Sequence, residues 1–215
     1  MWSKRIRYLN FLILFITVNV SAEYKITVLA TNISNYGGFG EWSFSALYES
    51  DEESVLFDTG YHEDTVLHNA KVLNKDLSKV NKVVLSHFHS DHTGGLIKLR
   101  QIYKDLNPDA FSEVYVARGF FDQRYYKDGS MEGPGNYKDS SKFKKAAEEE
   151  GISFIILDDY KKISNNLFAT GTVERVVEKY NGPKGFYLDK DLTIPDTIRD
   201  DQSVGMLTDN GWIMM

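Results

Sequence analysis

The chain has 215 residues, of which 42% are hydrophobic and 26% charged, a composition typical of one globular domain with a well-buried core. It contains no cysteine, which excludes a disulfide framework and a thiolate metal site. Its formal net charge is −6, and an acidic chain is a poor candidate for binding nucleic acid, because such binding relies on neutralising phosphates.

The first 22 residues have the pattern of a secretory signal peptide. A basic start, an apolar run of ten residues and a stretch of short side chains follow in order: Lys4, Arg5 and Arg7, then 11–20, then Val20-Ser21-Ala22. The apolar run is too short for a spanning helix, which needs about 20 residues. We expect residues 1–22 to be removed, which leaves 23–215 as the domain of an exported, periplasmic or extracellular protein without a stable membrane anchor. The alternative is an uncleaved anchor.

Removal of residues 1–22 makes the chain more acidic. It takes away three cations and no anions, so 25 Lys and Arg fall to 22 against 31 Asp and Glu, a net charge of −9. This charge strengthens the case against a nucleic-acid partner and leaves a small molecule as the expected substrate.

The rest of the chain begins with strands and continues with alternating helices and strands. Alternation and β-forming residues predict strands at 24–29, 42–48, 54–57, 83–85, 113–117, 153–157, 167–170, 172–177, 203–208 and 212–215. Apolar spacing and stop signals predict helices at 63–73, 96–106 and 141–150, a helical turn at 120–126, a loop at 127–140 and irregular chain at 180–200. This order predicts a layered α/β protein with helices outside its sheets.

The most informative motif follows the short apolar strand predicted at 83–85. Ser86-His87-Phe88-His89-Ser90-Asp91-His92-Thr93-Gly94-Gly95 places three imidazoles and one carboxylate within six positions. His87 and His89 are two apart, so in extended chain they project to the same side. Imidazole and carboxylate groups suit Zn²⁺, and also Fe or Mn, and two such ions would activate water and polarise a carbonyl or phosphoryl oxygen.

This motif resembles the signature of the metallo-β-lactamase superfamily. Three flanking stretches agree with that resemblance: Leu56-Phe57-Asp58-Thr59-Gly60 before the motif, and Trp42 to Leu47 and Asp201-Gln202-Ser203, which are similar to the branch of dihydropterin-type synthases. The resemblance covers 23–215 in one unbroken order. It implies a metallo-β-lactamase-like αββα sandwich.

The resemblance also implies a role for each residue of the motif. His87 and His89 would bind a first metal ion, with zinc as the first candidate, and Asp91 and His92 would serve a second. Asp91 would also be catalytic, as a group that accepts or passes on a proton. Asp58 would stand behind the ligands and fix the histidine loop.

One departure from the family concerns the end of the chain. The family supplies a further histidine from a Gly-x-x-His turn that follows a strand, and another near its C-terminus. Here the corresponding strand, Trp212 to Met215, ends the sequence and no histidine follows His92. We therefore expect a C-terminally truncated member whose second half is incomplete.

Three functions stay open on the sequence. The first is an exported hydrolase that uses a dinuclear metal site to activate water, with ester, lactone, amide and phosphoester substrates not distinguished by the motif. The second is a synthase or transferase like the dihydropterin-related members. The third is a catalytically incomplete fragment with an exposed sheet edge.

Overall fold

A computed structural model describes residues 23–177 and 180–215. The signal-peptide prediction falls on residues 1–22, outside the described residues. The chain forms thirteen strands within that described part: β1 Lys25–Ala30, β2 Ser45–Glu49, β3 Ser54–Phe57, β4 Val80–Val84, β5 Glu113–Ala117, β6 Arg124–Tyr126, β7 Met131–Glu132, β8 Ser153–Leu157, β9 Lys161–Lys162, β10 Leu167–Ala169, β11 Phe186–Tyr187, β12 Val204–Thr208 and β13 Gly211–Met214. The helices are α1 Thr65–Val72, α2 Ser90–Thr93, α3 Leu96–Tyr103 and α4 Ser140–Glu149, with a 3₁₀ turn at Leu77–Lys79.

The largest sheet has six strands in the order β1-β2-β3-β4-β5-β8. The first three strands pair antiparallel, and β3, β4, β5 and β8 run parallel to one another. Parallel neighbours present their carboxyl ends at the same edge, where open α/β sheets place their sites. The ends of β3 and β4 therefore lead directly into Asp58 and into the histidine motif.

The six-stranded sheet is buried on both faces. One face packs under α1, α3 and α4 through a core that includes Leu56, Val83, Val66, Leu99 and Phe143. The other face packs on the second sheet through side chains that alternate with these along the strands: Val55, Phe57, Val84, Leu167 and Met206. Burial on both sides explains the continuous apolar sequence of the central strands.

The second sheet has four antiparallel strands in the order β13-β12-β10-β9, and a three-stranded sheet, β11-β6-β7, stands beside the motif. The helices of eight or more residues among those described all contribute to the core on the outer face of the six-stranded sheet. The predicted layered α/β fold is confirmed, with α, β and β layers in the described residues.

Two local predictions were wrong. The second half of 120–126, predicted as a helical turn, is strand β6, which pairs with β7 in the segment predicted as loop. The stretch 172–177 is not a strand although it is rich in β-branched residues. There the Thr172 hydroxyl bonds the Leu157 carbonyl at 3.0 Å, while Val176 and Val177 are exposed, so no strand partner uses the β propensity.

Helix α4 has a side-chain cap at its start and a glycine after its end. Asp139 caps it by accepting from the amides of Ser141 at 2.9 Å and Lys142 at 3.2 Å, and Gly151 follows its end with φ of +82°. None of the helices in 23–177 and 180–215 has the length and apolar character needed to cross a membrane.

Candidate metal centre

The histidine motif forms the loop between β4 and α3. Ser86, at the strand end, is buried, His87 and His89 are half-buried, and Asp91 and His92 lie on the single turn α2. The structure brings all four predicted ligands to the carboxyl-terminal edge of the parallel strands.

The imidazoles contact one another directly. His87 Nε2 lies 3.0 Å from His89 Nδ1, and the rings of His87 and His92 have centroids 4.2 Å apart. The Nε2 atom of His92 lies 3.7 Å from a carboxylate oxygen of Asp91. The site is therefore one compact cluster of three imidazoles and a carboxylate.

Asp58 ties this cluster to the end of β3. Its buried carboxylate accepts from the Ser86 amide at 2.7 Å and the Ser86 hydroxyl at 2.8 Å, and it lies 2.6 Å from His92 Nδ1. The backbone of Asp58 has φ of +56°, a left-handed conformation that aspartate tolerates better than most residues. Because His92 Nδ1 is engaged, its Nε2 atom is left to face the site.

Burial and neighbouring charges shift the pKa values of the three histidines in different directions. Burial, reinforced by His92 and His89, holds the pKa of His87 well below its usual value. Burial likewise lowers the pKa of His89. Burial also opposes the charge of His92, but the hydrogen bond and charge of Asp58 outweigh it and raise the pKa of His92. Two imidazoles are thus held neutral, the form that binds a metal.

Gly94 lets the backbone behind the ligands pack closely. Gly94 donates to the Gly60 carbonyl at 2.8 Å, and a Cβ atom at Gly94 would lie 1.8 Å from the carbonyl oxygen of Tyr61. The Thr59 amide donates to the His92 carbonyl at 2.7 Å. The segment after β3 is therefore fastened to the motif by backbone as well as by Asp58.

The residues fit a metal by chemistry rather than by their present orientation. Among the described residues, no three His, Asp or Glu side chains stand as they would around a metal ion. The rings of His87 and His89 turn their nitrogens toward each other, so metal binding requires this mutual bond to break. Two neutral imidazoles and a third that is oriented by a buried carboxylate nevertheless form a donor set suited to zinc.

A buried ion network lies behind the motif, and sequence reasoning missed it. The guanidinium of Arg124 on β6 bonds Asp200 at 2.5 Å and Asp196 at 3.3 Å, all three side chains being 1% exposed. Asp200 also accepts from the amide of Phe88, the residue between two predicted ligands, at 2.8 Å. Arg124 lies 4.4 Å over the Phe88 ring. This network fixes the back of the loop, but an arginine alone in the sequence gives no signal of such burial.

A cleft of about 360 Å³ opens beside the cluster. It is lined by Trp42, Tyr61, His89, Ser90, Asp91, Tyr126, Glu132, Pro183 and Phe186. Its aromatic side chains come from the loop before β2, from the segment between β3 and α1 and from the three-stranded sheet. The cleft gives a small molecule access to His89 and Asp91.

The two other histidines lie apart from this arrangement. His68 stacks on Phe39 with ring centroids 3.8 Å apart, and its Nε2 atom lies 2.6 Å from the Gly37 carbonyl. His62 is exposed, and its amide donates to Glu41 at 3.2 Å. The Glu41 carboxylate also accepts from the Thr65 hydroxyl at 2.7 Å, so it joins the loop between β1 and β2 to the start of α1.

Comparison with known proteins points to one family. The model of the metallo-beta-lactamase superfamily matches residues 43–107, which include Asp58 and the histidine motif. A solved structure described as a metal-dependent hydrolase of the beta-lactamase superfamily is 26% identical, with a TM-score of 0.67. That likeness covers 89% of this chain and 64% of the solved chain.

Two curated relatives come from Methanocaldococcus jannaschii. The first, 7,8-dihydropterin-6-methyl-4-(beta-D-ribofuranosyl)-aminobenzene-5'-phosphate synthase, is 25% identical over 89% of this chain and 66% of its own length. The second, an uncharacterized protein, is 31% identical over 44% of this chain and 39% of its own length. The chain thus spans less than two thirds of each relative and of the solved structure.

Proposed function

We propose that this chain, which belongs to the metallo-β-lactamase superfamily, acts as a metal-dependent hydrolase of a small molecule. His87, His89, Asp91 and His92 are the proposed metal ligands, with zinc as the first candidate and iron or manganese as alternatives. The observation that carries the proposal is the bond between buried Asp58 and His92 Nδ1, because it orients an imidazole for a ligand that the cluster itself does not supply.

Each residue of the site has a distinct task in this proposal. A bound metal would supply Lewis acidity, polarising a carbonyl or phosphoryl oxygen and making water a better nucleophile. The carboxylate of Asp91 lines the cleft and lies 3.7 Å from His92 Nε2, so it can take a proton from water or hand one to the leaving group. Asp58 and Ser86 keep His92 in place while the proton moves.

A second candidate function is a synthase or transferase reaction. The specific observation in its favour is the likeness to the dihydropterin-related synthase, which extends over 89% of this chain. Both candidates use the same cleft and the same ligand set. They differ in the acceptor of the transferred group, which is water in a hydrolase and a second organic substrate in a synthase.

The experiment that tests the proposal measures how much zinc the purified chain retains. Zinc retained after dialysis is measured by mass spectrometry for the parent and for the double variant His87→Ala, His89→Ala. We expect the double variant to retain no zinc above background, because two of the three imidazoles are gone. The matched control is His62→Ala, which removes an exposed imidazole outside the cluster and should leave zinc retention unchanged.

Either of two outcomes would reject the metal site. One is equal zinc in the parent and the double variant, and the other is no zinc in the parent itself. The second outcome would favour the remaining alternative, a chain without catalytic activity. If zinc is retained, ester and lactone hydrolysis assayed in water alone then separates the hydrolase from the synthase.

A further inference from the structure

We propose that Glu132 determines substrate specificity by binding a cationic nitrogen group, an amidinium or protonated amino group carried on a flat ring. The inference rests on the proposed function, because it takes the cleft beside His89 and Asp91 as the substrate site. It adds the substrate's chemical class to that proposal.

Glu132 is a buried carboxylate that lacks a cation. The residue is 9% exposed and lies on the short strand β7. In the described part of the chain no lysine, arginine or histidine forms an ion pair with it. Buried carboxylates are normally paired, because transfer of an isolated charge out of water is energetically unfavourable.

The charges that line the cleft also favour a cationic ligand. Its lining contains two carboxylates, Glu132 and Asp91, and no lysine or arginine among the described residues. Burial raises the pKa of Glu132, and the charge of Asp91 adds to this effect. Asp91 is a proposed metal ligand, so Glu132 is the carboxylate of this lining that the metal would not compensate, and a cationic substrate group would compensate it instead.

The walls of the cleft favour a flat cation. The ring centroid of Phe186 lies 4.9 Å from that of Tyr126 and 5.2 Å from that of His89. Trp42 and Tyr61 are the other aromatic residues of the lining. Aromatic faces attract organic cations, and they also stack on planar rings. An ionised carboxylate has about four acceptor positions, so Glu132 can receive two parallel N–H groups.

The probes for this inference are benzamidine and benzamide. They are nearly isosteric flat molecules, and only benzamidine carries a cationic pair of N–H groups. Their dissociation constants are measured by calorimetry on the metal-free, EDTA-treated chain, so that zinc plays no part in the result. We expect the parent to bind benzamidine at least tenfold more tightly than benzamide, as a charge-assisted hydrogen bond provides.

The decisive variant is Glu132→Gln, which keeps the size of the side chain and removes its charge. We expect this variant to bind benzamidine no more than about twofold more tightly than benzamide. The matched control is Glu63→Gln, because Glu63 is an exposed carboxylate bonded to Asn136 at 2.7 Å, and its loss should leave the preference unchanged. If the Gln variant does not fold, Glu132→Asp replaces it, and the preference should fall severalfold.

Equal binding of the two probes by the parent would overturn the inference, as would a full preference in the Glu132 variant. Zinc retention of the same preparations before EDTA treatment separates this inference from the proposed function. A chain that retains zinc through the histidines but shows no preference rejects only the role of Glu132. A chain that prefers benzamidine but retains no zinc rejects only the metal site.

Discussion

Asp58 is the residue that connects the two halves of the candidate metal centre. It ends the segment after β3 and contacts both Ser86 at the start of the motif and His92 near its end. Its carboxylate is also the reason that His92 differs electrostatically from His87 and His89. Replacing it should therefore change both the protonation of one histidine and the affinity of the site for metal.

The first prediction concerns Asp58→Asn. Removing the negative charge should lower the pKa of His92, measured by NMR titration of the metal-free chain. In the same variant, zinc affinity should fall about 10- to 100-fold, the usual effect of losing a group that orients a ligand. Asp64→Asn is the matched control, since Asp64 precedes α1 without a side-chain capping bond. An unchanged His92 pKa together with parental zinc affinity would contradict the role of Asp58.

At the scale of residues, the sequence was informative where side chains that can bind a metal lie close together in one segment. Three histidines and an aspartate within six positions have few structural uses other than binding, so the motif could be placed without a structure. Arg124, Asp196 and Asp200 are separated by up to 76 positions, and isolated charges in a sequence usually face solvent. Their burial follows from tertiary packing alone.

At the scale of elements, the site exists because β3 and β4 are parallel neighbours that end together. Phe57 pairs with Val84 in register, so the next residues of both strands enter the same loop cluster. The sequence predicted both strands, since each is a short apolar run before polar residues. It did not predict β6, because three residues with two tyrosines and an arginine carry no periodic signal, and their pairing with β7 and β11 is fixed by distant chain.

The second prediction concerns the anchor that β6 provides. Arg124→Ala leaves two buried carboxylates without their cation and should reduce the free energy of unfolding by about 3–5 kcal/mol, measured by urea denaturation. Arg124→Lys keeps the charge but loses the planar fork. Its free energy of unfolding should therefore lie between that of Arg124→Ala and that of the parent.

Arg118→Ala is the control for this experiment. Arg118 pairs with Asp158 at 2.7 Å, but the two side chains are 68% and 59% exposed. Removing such a surface pair should cost no more than about 1 kcal/mol. Equal losses for the Arg118 and Arg124 variants would show that the buried network does not stabilise the fold.

At the scale of the whole molecule, the six-stranded and four-stranded sheets share one core, and among the described residues no further strand covers one edge of the four-stranded sheet. Strand β13 pairs with β12 and forms the edge of the four-stranded sheet. Trp212, Ile213 and Met214 on it are 54%, 45% and 57% exposed. An edge strand that is apolar and uncovered favours association with other strands.

The fold class was predictable from the order of elements, whereas export remains a prediction because residues 1–22 lie outside the described part.

The third prediction concerns this edge. The chain should self-associate with rising concentration, measured by analytical ultracentrifugation, and Ile213→Lys should reduce the association because edge lysines oppose strand pairing. Leu106→Lys is the control, since Leu106 is 73% exposed after α3, away from that sheet edge. A parent that stays monomeric at all concentrations would argue against association through β13.

The central claim is that the histidine loop holds a metal ion. X-ray absorption at the zinc edge, recorded on the chain loaded with one equivalent of zinc, tests it most directly because it reports the ligand atoms themselves. We expect a shell of nitrogen and oxygen atoms only, with the multiple scattering that imidazole rings produce and Zn–N distances of about 2.0–2.1 Å. Zinc that is lost on dialysis, or a shell without imidazole scattering, would contradict the claim.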